Sequence, residues 1–187
     1  MYNFYMKKFC VQSYKTNSQA KSKYEILLAL NIDETIKRQM FEIISRNMVD
    51  IGLKTNKNDY KVWNKSLTQQ SLTDNYRLYL ALDNKELVGY IQIILEKNYI
   101  FLSEIEIKKE YQNTRLILKM IDFLVYNKEL DKYKYVNFRI NKNNLHSIKT
   151  FEHLGATKQG MTEKAIKYSL SREQIITYLD KLNKKSH

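Results

Sequence analysis

The stretch that decides the fold is Asn144–Ala156, NLHSIKTFEHLGA. Leu145, Ile148, Phe151 and Leu154 recur at helical spacing and so share one apolar face, while Gly155 stands where a helix would stop. Asn144 can cap the helix with its side-chain oxygen, and Ser147 lies one turn in. An apolar-rich strand, YKYVNFRI from Tyr133 to Ile140, comes just before. The unit reads as a strand, an Asn-rich corner and a short helix.

The chain on either side extends this unit. Residues 1–22 are polar and weakly patterned, an N-terminal extension that could add an edge strand. YEILLAL (Tyr24 to Leu30) suits a buried strand. Asn31 with Glu34 offers a capping box for a helix whose stripe is Ile36, Met40, Ile43, Ile44 and Met48, ending near Gly52. A second helix is expected from Asn58 or Asp59, burying Val62, Trp63 and Leu67. Three strands follow closely: Tyr76 to Leu82, Glu86 to Leu95 across the turn Asp83-Asn84-Lys85, and Tyr99 to Ile107. A helix from about Thr114 carries Ile117, Met120, Ile121, Leu124 and Val125. Thr157 to Leu170 reads as one or two last strands. Ser171 with Gln174 forms a capping box for a final helix over residues 171–187, with Ile175, Ile176, Leu179 and Leu182 inward. Hairpins mixed with crossovers predict an α+β fold: a mixed, mostly antiparallel sheet of about six or seven strands flanked by helices.

Length and composition set the frame. The chain has 187 residues, which fits one domain over 1–187 with a full core. There is no apolar run of membrane-spanning length and no signal-type N-terminus, so a cytoplasmic protein is expected. Cys10 is the single cysteine, which rules out an internal disulfide and a cysteine-based zinc site. Lys and Arg outnumber Asp and Glu by 32 to 20, a charge of +12 that can steer phosphate-rich partners. The lysines are scattered, and no helix-turn-helix, aromatic RNA-binding motif or finger spacing is present. These features argue against a nucleic-acid partner.

The order of elements, together with Asn144–Ala156, resembles the GNAT superfamily of N-acetyltransferases over roughly Tyr24 to Leu170. In that family the late helix follows N-x-x-A/S-x-x-x-Y-x-x-x-G-F. Here those positions are Asn144, Ser147, Phe151, Gly155 and Ala156. Phe151 stands where many members carry the tyrosine assigned as general acid.

The resemblance implies acetyl-CoA as co-substrate. The family's phosphate turn, Q/R-x-x-G-x-G/A, aligns with Gln112, Asn113, Thr114, Arg115, Leu116 and Ile117. Gln112 matches, whereas Arg115 and Ile117 replace both glycines. Glycine serves where the backbone must approach a ligand closely. Two readings stay open. In one, the main-chain amides still hold the pyrophosphate at a helix start, with Arg115 adding a charged contact. In the other, the pocket is closed. The resemblance further implies that backbone groups near Ile105 and Ile107 would pair with the pantetheine arm, with Asn144, Ser147 and Phe151 alongside the cofactor.

Acetyl transfer to an amine needs a base for the nucleophile, donors for the carbonyl and a proton for the thiolate. The candidate bases are Glu104 and Glu106, which share one strand face opposite Ser103, Ile105 and Ile107. Burial and mutual repulsion can raise their pKa values. A helix over that face would make them structural charges; an open cleft would let one relay protons through water. Tyr168 and His153 rank behind them. Phe151 cannot donate a proton, and the candidates to replace it are Ser147 and His146. The expected activity is an acetyl-CoA-dependent N-acetyltransferase acting on a primary amine of a small molecule or peptide, with no metal and no membrane, and with a homodimer left open. The alternative is an inactive module of the same fold, an acyl-CoA sensor or a protein-interaction domain.

Overall fold

The computed structural model describes residues 24–112, 114–126 and 131–184. Residues 1–23, including the expected edge strand and Cys10, lie outside them, as do Asn113, residues 127–130 and residues 185–187. The described residues form a seven-stranded sheet in the order β1-β2-β3-β4-β5-β7-β6. The strands are β1 (Tyr24–Ala29), β2 (Tyr76–Asp83), β3 (Glu86–Leu95), β4 (Ile100–Ile107), β5 (Tyr135–Asn141), β6 (Thr157–Met161) and β7 (Ala165–Ser171). All neighbours pair antiparallel except β4 and β5, which run parallel. The helices are α1 (Glu34–Asp50), α2 (Lys57–Ser71), α3 (Leu116–Tyr126), α4 (Leu145–His153) and α5 (Arg172–Lys184). This is the mixed, mostly antiparallel sheet the sequence predicts, with Thr157 onward resolved into two strands.

Two apolar layers sandwich the sheet. On one face Leu78, Leu80 and Leu82 of β2 and Tyr90 of β3 pack with Met40, Ile43 and Ile44 of α1 and Leu67 of α2. On the other, Tyr79 and Ala81 join Met120 and Leu124 of α3 and Ile175 and Leu179 of α5. The alternation along β2 is the strand's period of two, with both faces covered. Between β2 and β3, Asn84 and Lys85 take positive φ, +49° and +70°. That is the two-residue turn whose twist suits a hairpin.

Several boundaries differ from expectation for reasons of capping. Asp33, not Asn31, caps α1, its carboxylate accepting from the Ile36 amide at 2.9 Å. Asn56 caps α2 through a capping box with Asp59, and the helix begins at Lys57, one to two residues earlier than expected. α3 begins at Leu116 rather than Thr114. The Ser171–Gln174 box forms as predicted, with bonds of 2.7 and 3.1 Å. Val62 and Leu145, both expected inside, are each 63% exposed, because each sits on the outer edge of its helix's stripe. Trp63 is half-buried, and the side chain of Leu182 lies outside the described residues.

Candidate active site

The centre of the sheet is opened by a failure of pairing. β4 and β5 are in register only over Ile100–Leu102 against Val136–Phe138. Beyond Leu102 the two strands part, leaving a wedge whose apex lies at Ser103. The same residue is a bulge against β3: Gln92 pairs with Glu104, but the next residue, Ile93, pairs with Leu102. One extra residue shifts the side-chain parity of everything after it. Leu102 and Ile107 therefore both reach the α3 layer, and Glu104 and Glu106 turn to the α1 and α2 side.

The bulge also fixes which backbone groups face the wedge. The Lys108 amide donates to Val88 on β3 at 2.9 Å. By alternation, the amides and carbonyls of Ile105 and Ile107 point the other way, along the edge that β5 has left. The Ile107 carbonyl is engaged there by side-chain amides, Asn47 Nδ2 at 3.1 Å and Gln112 Nε2 at 3.2 Å.

After β4 the chain makes one 3-10 turn, Lys109–Tyr111, and enters α3. The Thr114 hydroxyl donates to the Tyr111 carbonyl at 2.7 Å and accepts from the Leu116 amide at 3.2 Å. The Lys119 amide donates to the Arg115 carbonyl, so Arg115 is the cap residue just before α3 begins at Leu116. Helix geometry leaves the Leu116, Ile117 and Leu118 amides without an intrahelical acceptor, and Thr114 takes the first of them. Arg115 is exposed. Leu116 is fully buried, and Ile117 packs sideways against the α3 core layer. Gln112 does not point along the helix start; its side chain folds back to Asn47 and β4. Asn113 lies outside the described residues.

The two carboxylates turn towards α1 and α2, are half-buried rather than sealed, and are supplied with donors. Glu104 Oε1 accepts from the Trp63 indole at 3.2 Å, and Oε2 accepts from Tyr90 at 3.0 Å and Gln92 at 2.5 Å. Gln92 in turn accepts from the Tyr76 hydroxyl at 3.0 Å. Glu106 Oε2 accepts from Asn47 Nδ2 at 2.6 Å. Burial raises the Glu104 pKa against its donors Tyr90 and Trp63. Burial also pushes Glu106 up to about 7, opposed by Asn47 and assisted by the neighbouring Glu104 charge. Tyr76 and Tyr90 are held above the ordinary phenol range, first by burial and then by Glu104.

On the far side of the wedge, Asn144 caps α4 through the Ser147 amide at 3.0 Å, and Ser147 is half-buried. Phe151 is buried with its ring 4.5 Å from that of Phe138, which stacks on Tyr168 at 5.7 Å. Tyr168 donates to Glu152 at 2.7 Å; burial, then this carboxylate, raise its pKa to about 12. His146 and His153 are exposed, His153 lying edge-on to Tyr178.

β4 thus unites Glu104, Glu106, Ile105 and Ile107, and α4 brings Asn144, Ser147 and Phe151 to the partner side. The partners of the carboxylates, Asn47, Trp63, Tyr90 and Gln92, are not legible as a set. Gln92 alone carried a signal, as a lone polar residue inside the run ELVGYIQIIL.

A sheet splayed at its one parallel pair, with a bulge at the apex and a helix start at the mouth, defines a class of acyltransferase. The family described as "Acetyltransferase (GNAT) family" matches residues 38–156, and the chain belongs to it. Its fold is similar to that of an acetyltransferase from Thermus thermophilus, at 17% identity and a TM-score of 0.65, covering 78% of this chain and 96% of that one. It is also similar to a GNAT-family acetyltransferase from Staphylococcus aureus, at 17% identity and a TM-score of 0.63 over 79% and 99% of the two chains. A third is spermidine N-acetyltransferase from Vibrio cholerae in complex with CoA and spermine, at 14% identity and a TM-score of 0.58 over 83% and 99%. No curated protein matches in sequence. Among the described residues no helix is long and apolar enough to cross a membrane, and no cluster of metal-ligating side chains occurs.

Proposed function

We propose that the chain transfers the acetyl group of acetyl-CoA to a primary amine, with Glu106 receiving the amine's proton through water. The observation that carries this reading is the wedge between β4 and β5, which turns the Ile105 backbone groups and the Ile107 amide towards an extended amide-bearing arm, the Ile107 carbonyl being already engaged by Asn47 and Gln112. The replaced glycines are compatible with it. Ile117 is directed into the core layer and Arg115 outward, so neither side chain has to occupy the space along the helix axis. The Ile117 and Leu118 amides and the positive end of the α3 dipole suit a pyrophosphate, and Arg115 adds a cation at the helix start. Asn144 and Ser147 on α4 line the opposite wall, with Phe151 beneath them.

Acetyl-CoA supplies an activated carbonyl and a leaving thiolate when bound. The chain's own residues do the rest. A backbone amide beside the Ser103 bulge can polarise the carbonyl. Glu106, with a pKa of about 7 and a single side-chain donor recorded among the described residues, is suited to accept a proton near neutrality. Glu104 holds three donors and serves as a fixed anchor for α2. In the net reaction the amine nitrogen bonds to the carbonyl carbon, the carbon–sulfur bond breaks, and one proton passes to Glu106. Phe151 provides no acid. A thiol's pKa of about 8.5 lets the thiolate leave near neutral pH and be protonated from solvent, while Glu106 returns its proton to solvent, so no net proton is gained or lost. The acceptor is a primary amine of a small molecule or peptide, and polyamines enter the test panel because one structural neighbour is a spermidine N-acetyltransferase.

The test is release of free CoA thiol from acetyl-CoA in the presence of a panel of polyamines, amino sugars and peptide N-termini. Amine-dependent thiol release supports the transferase. Binding of CoA without turnover on any member would favour the acyl-CoA-binding module that Phe151 also fits.

A further inference from the structure

We infer that Asn47, oriented by Gln112, is a positioning residue that aims a hydrogen-bond donor at Glu106 and ties that carboxylate to the open edge of β4. This rests on the reading of Glu106 as the proton acceptor.

The argument is one of direction. A main-chain carbonyl can only accept. The Ile107 carbonyl receives Gln112 Nε2 at 3.2 Å and Asn47 Nδ2 at 3.1 Å. Gln112 must therefore present its NH2 group, which also donates to Asn47 Oδ1 at 2.8 Å. With Oδ1 so engaged, Asn47 has only its NH2 group to turn towards Glu106 Oε2, 2.6 Å away. Flipping either amide would set oxygen against oxygen. The polarity of the whole chain is fixed by one backbone atom, and its end point is a donor on Glu106.

Three separate segments meet here: α1 brings Asn47, β4 brings Glu106 and Ile107, and the turn before α3 brings Gln112. Gln112 stands in the segment that would meet the pyrophosphate, so the shape of that turn and the aim of the carboxylate form one connected unit. The other groups around Glu106 do not replace Asn47. Glu104, two residues away on β4, opposes its ionisation. Tyr90 of β3 and Trp63 of α2 donate to Glu104. Nearby cations are engaged elsewhere: Arg46 with Glu42, Lys108 with Glu86, and Lys109 with Asp50.

The test follows the Glu106 carboxyl itself. With carbon-13 in the glutamate side-chain carboxyls, and Glu106 assigned by its loss in Glu106→Gln, the titration midpoint is read in wild type, Asn47→Leu and Gln112→Leu. Wild type should titrate at about 7. Asn47→Leu should raise the midpoint by about one pH unit, the scale of a lost hydrogen bond to a charged group. Gln112→Leu, which removes the group that orients Asn47, should move it the same way. The acidic limb of acetyl transfer, measured with acetyl-CoA and the amine acetylated in the panel above, should shift in parallel. A midpoint unmoved in both variants overturns the bridge and leaves Glu106 as acceptor untouched. A midpoint that moves while the rate limb stays shows that Glu106 is not the acceptor, and the positioning role falls with it. Amide fingerprint spectra establish folding; should Asn47→Leu not fold, Gln112→Leu decides alone.

Discussion

At pH 8 Glu106 is ionised in half-buried surroundings that solvate the charge less well than water does, and this has a measurable consequence for stability. Its folded pKa of about 7 lies above the ordinary 4.5. Below about 4.5 both folded and unfolded states hold the proton, and the group contributes nothing. Between about 4.5 and about 7 the unfolded chain releases its proton while the folded chain keeps it, so stability falls as pH rises through that window. Above that window both are ionised and the full penalty stands. Glu106→Gln should therefore raise the unfolding free energy by about 1–3 kcal/mol at pH 8 and leave it nearly unchanged at pH 4, read by denaturant titration at both values. The same substitution should lower acetyl transfer at pH 7 by about 100-fold, within the range for loss of a general base. A variant destabilised equally at both pH values would show that the burial argument is wrong. The pair of carboxylates was legible as a pair because period two puts alternate residues on one face. Which face they take was not, since it depends on the Ser103 bulge, and a one-residue bulge leaves no mark in hydrophobic pattern.

On β3, Gly89 lies directly opposite Ile107 of β4. A Cβ there would stand 2.8 Å from the Glu106 carbonyl oxygen, a backbone atom that cannot swing aside. Gly89→Ala should destabilise the fold by about 1–3 kcal/mol, the usual cost of overpacking. Because the strain falls on β4, its effect on KM for acetyl-CoA should exceed that of a core substitution of equal stability cost, such as Ile175→Val in α5. Stability and KM measured side by side check this; equal KM effects would contradict it. At the start of α3, Arg115→Ala should weaken CoA binding about three- to tenfold, and the deficit should shrink in high salt, as expected for an exposed charge-assisted contact. Calorimetry at two ionic strengths reads both. The helices were legible by their stripes, but their starts were not. Asp33 and Asn56 won over Asn31 and Asn58 because a cap depends on which side-chain oxygen meets a free amide, and several adjacent polar residues could each do so. Trp63 and Asn47 were invisible as partners of β4 because they lie 41 and 59 residues from the carboxylates they bond.

For the molecule as a whole, the family follows from order and one motif: the strand-corner-helix unit at Asn144 lies where the fold needs it, and the match over residues 38–156 places the chain among GNAT acetyltransferases. The site was readable only where side chains carry it. The wedge is made of main chain, of pairing that stops at Leu102, and no residue type announces it. On the proposed reading, the loss of both motif glycines is less consequential than the letters imply, since amides and a helix dipole survive substitution. A charge of +12 further favours a partner bearing several phosphates. The central claim is that this wedge and helix start still bind the nucleotide thioester. Its most direct test is calorimetric titration of the full chain with CoA, paired with its melting temperature. The account predicts one saturable site per chain and a melting temperature that climbs with CoA concentration by mass action. Absence of heat and of any melting shift at millimolar CoA would contradict it.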